Sequence, residues 1–181
     1  MNGVRNLEES LTSSYSTLAL LVFREARLER GVQQGRFAQA FGVTPSAWSK
    51  IENGDSNLTF DAALSACGAL GMEPFHLMNI VVDLSKQMYL YGWYFQTITL
   101  GAKEDKLLGL ISRYFSSQGY QNLRSSFNSV RVSVIPSPFQ PGQTPTVVRY
   151  CGDMTFRNWI DEGANGEPPS PPGFSLPPVI W

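Results

Sequence analysis

The 181-residue chain carries a formal charge of −1 and has a pI near 5.8, so no global basic field advertises non-specific nucleic-acid binding, and any such binding must be local. With 43% hydrophobic and 16% charged residues, the composition is that of a folded protein, large enough for one sizeable domain or two small ones. The longest apolar run, residues 18–23, is far too short to span a bilayer and runs straight into Arg24 and Glu25, so neither a membrane segment nor a signal peptide is expected.

From residue 14 to about 85 the pattern is helical. It is punctuated by Gly31, Gly42, Gly54 and Gly71, each just past an apolar-periodic stretch, where a left-handed residue ends a helix. Four stops predict five short helices. Cys67 and Cys151 are far apart with no metal-ligand spacing, as expected for reduced core thiols of a cytoplasmic protein.

After residue 85 the texture changes. Aromatic and β-branched residues crowd into 88–100, 129–135 and 146–151. In the second of these, Val130, Val132 and Val134 alternate with Arg131 and Ser133, the period of a half-buried strand. Residues 103–118 carry Leu107, Leu110, Ile111, Tyr114 and Phe115 at helical spacing, with Gly119 as a stop. The expected order is strand, helix, strand, strand. Pro136, Pro138, Pro141 and Pro145 with Gly142 predict a wide hairpin loop between the last two strands. The tail, 163–181, is Pro-rich and is expected to be extended unless Phe174 and Trp181 dock on a surface.

Residues 31–54, GVQQGRFAQAFGVTPSAWSKIENG, supply each part of a helix-turn-helix. Phe37, Ala38 and Phe41 form the inner face of its first helix, with Ala38 as the small residue at the close contact. Gly42 makes the turn and Val43 packs beneath it. Thr44 is placed to cap the second helix, with Pro45 at its first position, where a missing amide proton costs nothing. Trp48 and Ile51 face inward, which leaves Pro45, Ser46, Ala47, Ser49 and Lys50 outward.

The stretch from about residue 21 to 78 resembles the Cro and lambda-repressor-like (XRE-type) helix-turn-helix family. The likeness is carried by Arg27, Arg30-Gly31, Gln34, Ala38, Phe41-Gly42-Val43, Ile51-Glu52, Gly54 and Ala69-Leu70-Gly71. It implies an all-α five-helix domain whose third helix enters the major groove, with Gln34 gripping a phosphate and a structural ion pair between Arg27 and Glu52. Carried over by position, Pro45, Ser46, Ser49 and Lys50 are the base-edge readers; Gln33, Gln34, Arg36, Asn53, Asn57 and backbone amides are expected to supply phosphate contacts, and Thr44 belongs to the same DNA-binding set. This sequence departs from many relatives in two respects. The reading face lacks bidentate Gln, Asn or Arg side chains, and Gly54 is followed by Asp55 rather than a basic loop, so affinity per half-site is expected to be modest.

Other chemistries find little support. A self-cleaving repressor domain needs a lysine base, yet no lysine follows Lys106. The only histidine is His76, too isolated for a metal site and read as a satisfied or surface residue. Asp153, Asp161 and Glu162 read as isolated solvated acids. Tyr89, Tyr91, Trp93, Tyr94, Phe95, Tyr114, Phe115 and Trp159 read as the core of a small α+β domain, with some of them at an interface or pocket. The expected organisation is a DNA-binding domain over 1–85, an α+β dimerisation, partner or effector domain over 86–162, and the tail. The expected protein is not an enzyme, uses no cofactor or metal, and meets no membrane. It is a homodimeric repressor that binds double-stranded DNA at an inverted repeat and can regulate itself. The alternative is an antitoxin or phage-type inhibitor whose carboxy-terminal domain holds a protein partner.

Overall fold

The computed structural model describes residues 11–40, 42–125, 130–137 and 142–173, which form nine helices and two short strands. The first strand, β1 (Leu11–Ser14), leads directly into α1 (Tyr15–Glu29). Ser14 keeps an extended backbone while its hydroxyl accepts a hydrogen bond from the Thr17 amide at 3.2 Å. Four more helices follow: α2 (Gln34–Ala40), α3 (Pro45–Glu52), α4 (Phe60–Ala69) and α5 (Pro74–Tyr89). Gly31, Gly42, Gly54 and Gly71 all take positive φ just beyond the ends of the first four helices. Thr44 and Thr59 cap α3 and α4 by accepting from the Ala47 and Ala62 amides at 3.1 and 3.2 Å. Phe41 lies outside the described residues.

Beyond α5 the structure differs from the strand-helix-strand-strand reading. Met88 and Tyr89 belong to α5, and only Trp93–Gln96 form a strand, β2. Its partner is β1, in parallel, with Leu11 opposite Trp93 and Ser14 opposite Gln96. The amphipathic helix is α6 (Lys106–Ser116), which buries Leu107, Ile111, Tyr114 and Phe115. Gly119 is not a stop. It lies within α7 (Gln118–Ser125), where a side chain would run into the backbone carbonyl of Ile160 in α9 (Met154–Asp161).

Neither later strand forms among the described residues. Arg131 curls its own segment by donating to the carbonyls of Ser133, Val134 and Gln143 at 2.9, 3.0 and 2.9 Å, which takes those acceptors away from any ladder. Residues 146–151 lie in a helix, α8 (Thr146–Gly152), entered from Pro145. Every residue from Thr146 to Cys151 is buried, so the run carries no alternation by which period alone separates strand from helix. A backbone bond from the Thr146 N–H to the Arg131 carbonyl, 2.8 Å, joins the two segments. With no strands on either side there is no hairpin. Residues 126–129, 138–141 and 174–181, and with them Pro138, Pro141, Phe174 and Trp181, lie outside the described residues.

One apolar core runs through the whole fold, from Leu18, Phe23, Phe37 and Trp48 to Trp93, Tyr114, Tyr120, Tyr150 and Phe156. Of the expected aromatic cluster, Trp93, Tyr114 and Phe115 are buried, whereas Tyr89 and Tyr94 are exposed and meet edge to face at 5.9 Å. Asp105 clamps the two ends of this core together. Buried to 2% exposure, it accepts from the Ser13 and Thr17 hydroxyls at 2.8 and 2.5 Å and from the Leu107 and Leu108 amides at 3.0 and 3.3 Å. Asp153 and Asp161 are not isolated solvated acids. Asp153 caps α9 and pairs with Arg149 at 3.4 Å, and Asp161 accepts from the Tyr150 hydroxyl at 2.9 Å and pairs with Arg113. Cys67 and Cys151 are free and buried, and His76 is exposed. No helix of the described residues is long and apolar enough to cross a membrane.

The inward face of α1 carries a buried carboxyl group. Glu25 is buried with Oε2 lacking a hydrogen-bond partner among the described residues, and burial pushes its carboxyl up from 4.5 to about 8, helped by Glu29 and opposed by Arg124 and Arg24. The folded state therefore holds a proton that the unfolded chain releases near pH 4.5. Stability from this group is complete below that pH and is lost as pH rises to about 8. Urea unfolding is expected to show stability falling across that interval by up to about 1.4 kcal/mol per pH unit. Glu25→Gln is expected to flatten that slope and to be more stable than wild type at the alkaline end. An unchanged slope in the variant assigns the dependence elsewhere.

Candidate nucleic-acid interface

The outer surface of α2 and α3 is set by what the inner surface holds. Trp48 is fully buried, meeting the Phe37 ring at 5.0 Å and the Phe23 ring at 6.3 Å, both edge to face. Its indole N–H donates to Glu52 Oε1 at 2.6 Å, one turn further along α3. The Gln34 side-chain amide donates to Glu52 Oε2, which ties the start of α2 to the end of α3. Arg27 of α1 completes the group, with Nε 3.7 Å from Glu52 Oε1 and Nη1 donating to the Val32 carbonyl at 3.1 Å. At 3.7 Å the Arg27–Glu52 contact is an ion pair without a hydrogen bond, and Arg27 Nε has no other acceptor among the described residues. One carboxylate thus holds three helices at a fixed mutual angle.

With the inner row locked, the outer row is free. Thr44, Pro45, Ser46, Lys50 and Asn53 are exposed along α3, and Ser49 is half-buried, 3.4 Å from the Asn53 side-chain amide that donates to it. Gln33 and Arg36 are exposed at α2, and Asn57 is exposed in the loop that follows α3. The base-reading and phosphate-contacting candidates thus share one continuous stretch of α2, α3 and their loops. Gln34 differs from the rest: it is half-buried and one of its amide protons is committed to Glu52, leaving the other available to a phosphate. Fixed positive charge on this stretch comes from Arg36 and Lys50, and Asp55 opposes it.

Residues 21–76 match the model of a family described as a helix-turn-helix domain. The amino-terminal part of the chain is a helix-turn-helix domain. No curated protein and no solved structure matches the chain. A helix-turn-helix domain marks a DNA-binding regulator, and in this one the second helix of the motif is α3.

Sequence reasoning missed two features of this helix-turn-helix. The first is the Trp48–Glu52 bond, although a spacing of four residues on a helix was there to be read. The second is the environment of Gly54. Beyond its left-handed φ of +77°, it lies against Leu108 of α6 and Ala102, so a side chain there would collide with the carboxy-terminal half. That contact joins residues distant in sequence and has no local signal.

The Glu52 group gives a direct expectation. Glu52→Ala leaves a buried guanidinium without its counter-charge and frees the Trp48 and Gln34 donors, and is expected to cost about 3–5 kcal/mol in chemical denaturation. Ser46→Ala, on the exposed face, is expected to stay within about 0.5 kcal/mol of wild type. Equal, small effects from both substitutions would mean that Glu52 does not hold the three helices.

Proposed function

We propose that the protein is a non-enzymatic, cytoplasmic, XRE-type transcription regulator. In this reading it binds an inverted repeat in double-stranded DNA as a homodimer and acts as a repressor, including on its own operator. The observation that carries it is the two-sided character of α3, whose inner row is locked by Trp48 and Glu52 while Thr44, Pro45, Ser46 and Lys50 stand exposed. Lys50 donates to guanine acceptors, Ser46 and Ser49 serve as adaptable partners, and Pro45 offers apolar contact. Gln33, Arg36, Asn53, Asn57 and the second amide proton of Gln34 position the helix on phosphates. One such module reads few base pairs, so two copies one helical turn apart are required for useful affinity.

An exposed apolar row on α5 supports the dimer. Phe75, Met78, Val82 and Tyr89 follow helical spacing and are 77%, 53%, 38% and 58% exposed, and the row continues onto Tyr94. In this division of labour residues 1–85 read DNA, residues 86–162 complete the interface, and residues 163–181 form the tail. The same row, with the exposed Tyr89–Tyr94 pair, also suits the second reading. In that reading the carboxy-terminal region holds a protein partner, as in an antitoxin or phage-type inhibitor, and the DNA-binding part autoregulates.

Two measurements test this. In mobility shifts on the upstream region of its own gene, Lys50→Glu combined with Ser46→Ala is expected to lose at least about tenfold in affinity. With Arg36 and Lys50 as the fixed cations of each subunit, the dimer's log K against log salt is expected to have a shallow slope of about −4. Undiminished binding by the double variant sinks α3 as the reading surface. Light scattering on Met78→Asp with Val82→Asp is expected to show monomers. Dimers that persist move the interface off α5, and a stoichiometric partner protein seated there in place of a second copy establishes the second reading.

A further inference from the structure

A cavity of about 350 Å³ lies between α8, the first turn of α9, the segments at 130–131 and 142–144, and the Pro-rich chain at Pro168 and Pro171. Its volume is at the small end of the range for small-molecule sites. Two guanidinium groups line it. Arg149 is 8% exposed, with Nη2 donating to Asp153 Oδ2 at 3.4 Å and to the Pro169 carbonyl at 2.8 Å. Its Cζ lies 4.0 Å from the centre of the Phe156 ring, yet its buried Nε has no acceptor among the described residues. A buried N–H of a charged group left without a partner is destabilising, and one planar acceptor at that edge removes the penalty.

Charge points the same way. Arg131 forms no salt bridge among the described residues, since its N–H groups hold the carbonyls of Ser133, Val134 and Gln143, which satisfy hydrogen bonds but not charge. Burial lowers its pKa, the mark of a cation held away from water. Asp153 pairs with Arg149 at 3.4 Å, whereas Arg131 has only the more distant carboxylates of Asp83 and Glu29 acting on it. Val130, the prolines and the ring of Tyr91 supply apolar lining, and the Tyr91 hydroxyl is itself hydrogen-bonded to the Arg149 side chain.

We propose that this cavity binds a small organic carboxylate on an apolar or aromatic body, whose oxygens take the Arg149 Nε–H while its body lies against the Tyr91 ring and Val130. A carboxylate matches the planar guanidinium edge and carries the charge that a buried cation favours. The site stands whether or not α3 reads DNA, so its test contains no DNA.

The test uses the full chain and two nearly isosteric probes, benzoate and benzamide, titrated by calorimetry. Benzoate is expected to saturate one site per chain, and benzamide, which lacks the charge, to bind at least about tenfold more weakly. Arg149→Lys removes the planar edge, and Thr144→Phe fills the cavity from its half-buried rim. Each is expected to weaken benzoate at least about tenfold with an unchanged circular-dichroism spectrum. If Arg149→Lys fails to fold, Thr144→Phe decides. Absence of saturable benzoate binding, equal binding of benzamide, or undiminished binding by folded Thr144→Phe overturns the proposal.

Discussion

The fold depends on one buried carboxylate in the connection between its two halves. Asp105 begins α6 as its cap, and the same side chain takes the hydroxyl protons of Ser13 and Thr17, so the end of β1, the start of α1 and the start of α6 share one acceptor. Acceptors of this kind are strong because the charge is satisfied from several sides inside a low-dielectric interior. The parallel pairing of β1 with β2 lies beside this clamp and closes the chain across more than eighty residues. Such a closure is entropically costly, and a multiply bonded charge offsets part of that cost where four ladder positions alone contribute little.

The clamp reaches the nucleic-acid interface through α6. Once Asp105 fixes where α6 begins, Leu108 in its first turn comes to rest against Gly54, just past the end of α3. From the other side Glu52 fastens that same end of α3 to α1 and α2. Helix α3 is therefore gripped at its carboxy-terminal end by both halves of the molecule, while its capped amino-terminal end, with Thr44, Pro45 and Ser46, is exposed. A helix held at the far end and bare at the near end can enter a groove without rearranging its own supports.

How much of this was legible follows from the range of each signal. Helix stops, threonine caps and first-position prolines act within four residues, and the amino-terminal helices carry them in full view at Gly31, Thr44, Pro45, Thr59 and Pro74. The pairing of β1 with β2, the Gly119–Ile160 approach and the Gly54–Leu108 contact join distant residues and leave no local trace. The misread strands have another cause. Val130, Val132 and Val134 do alternate, but strand periodicity specifies a strand only where a neighbour supplies a ladder, and Arg131 claims those carbonyls with its own side chain. In α8 the β-branched pair Val147 and Val148 suggested a strand, yet a run buried all round is free to be helical once Pro145 sets its first turn.

The residues that misled are also those that connect the two ends of the molecule. Arg131 lines the cavity beside Arg149, and its charge is felt by Asp83 of α5 and Glu29 of α1. Four residues on, Ile135 lies beside Ala26, Arg30, Met72 and His76, where α1 meets the turn between α4 and α5. A short irregular segment thus touches the cavity at one end and the scaffold of the helix-turn-helix at the other. Packing alone is not coupling, because a ligand shifts an equilibrium only by as much as its affinity differs between two states. What this segment adds is a means for such a difference to arise. Its carbonyls are held by one guanidinium rather than by a ladder, so a negative charge arriving at the cavity competes for the group that sets its shape.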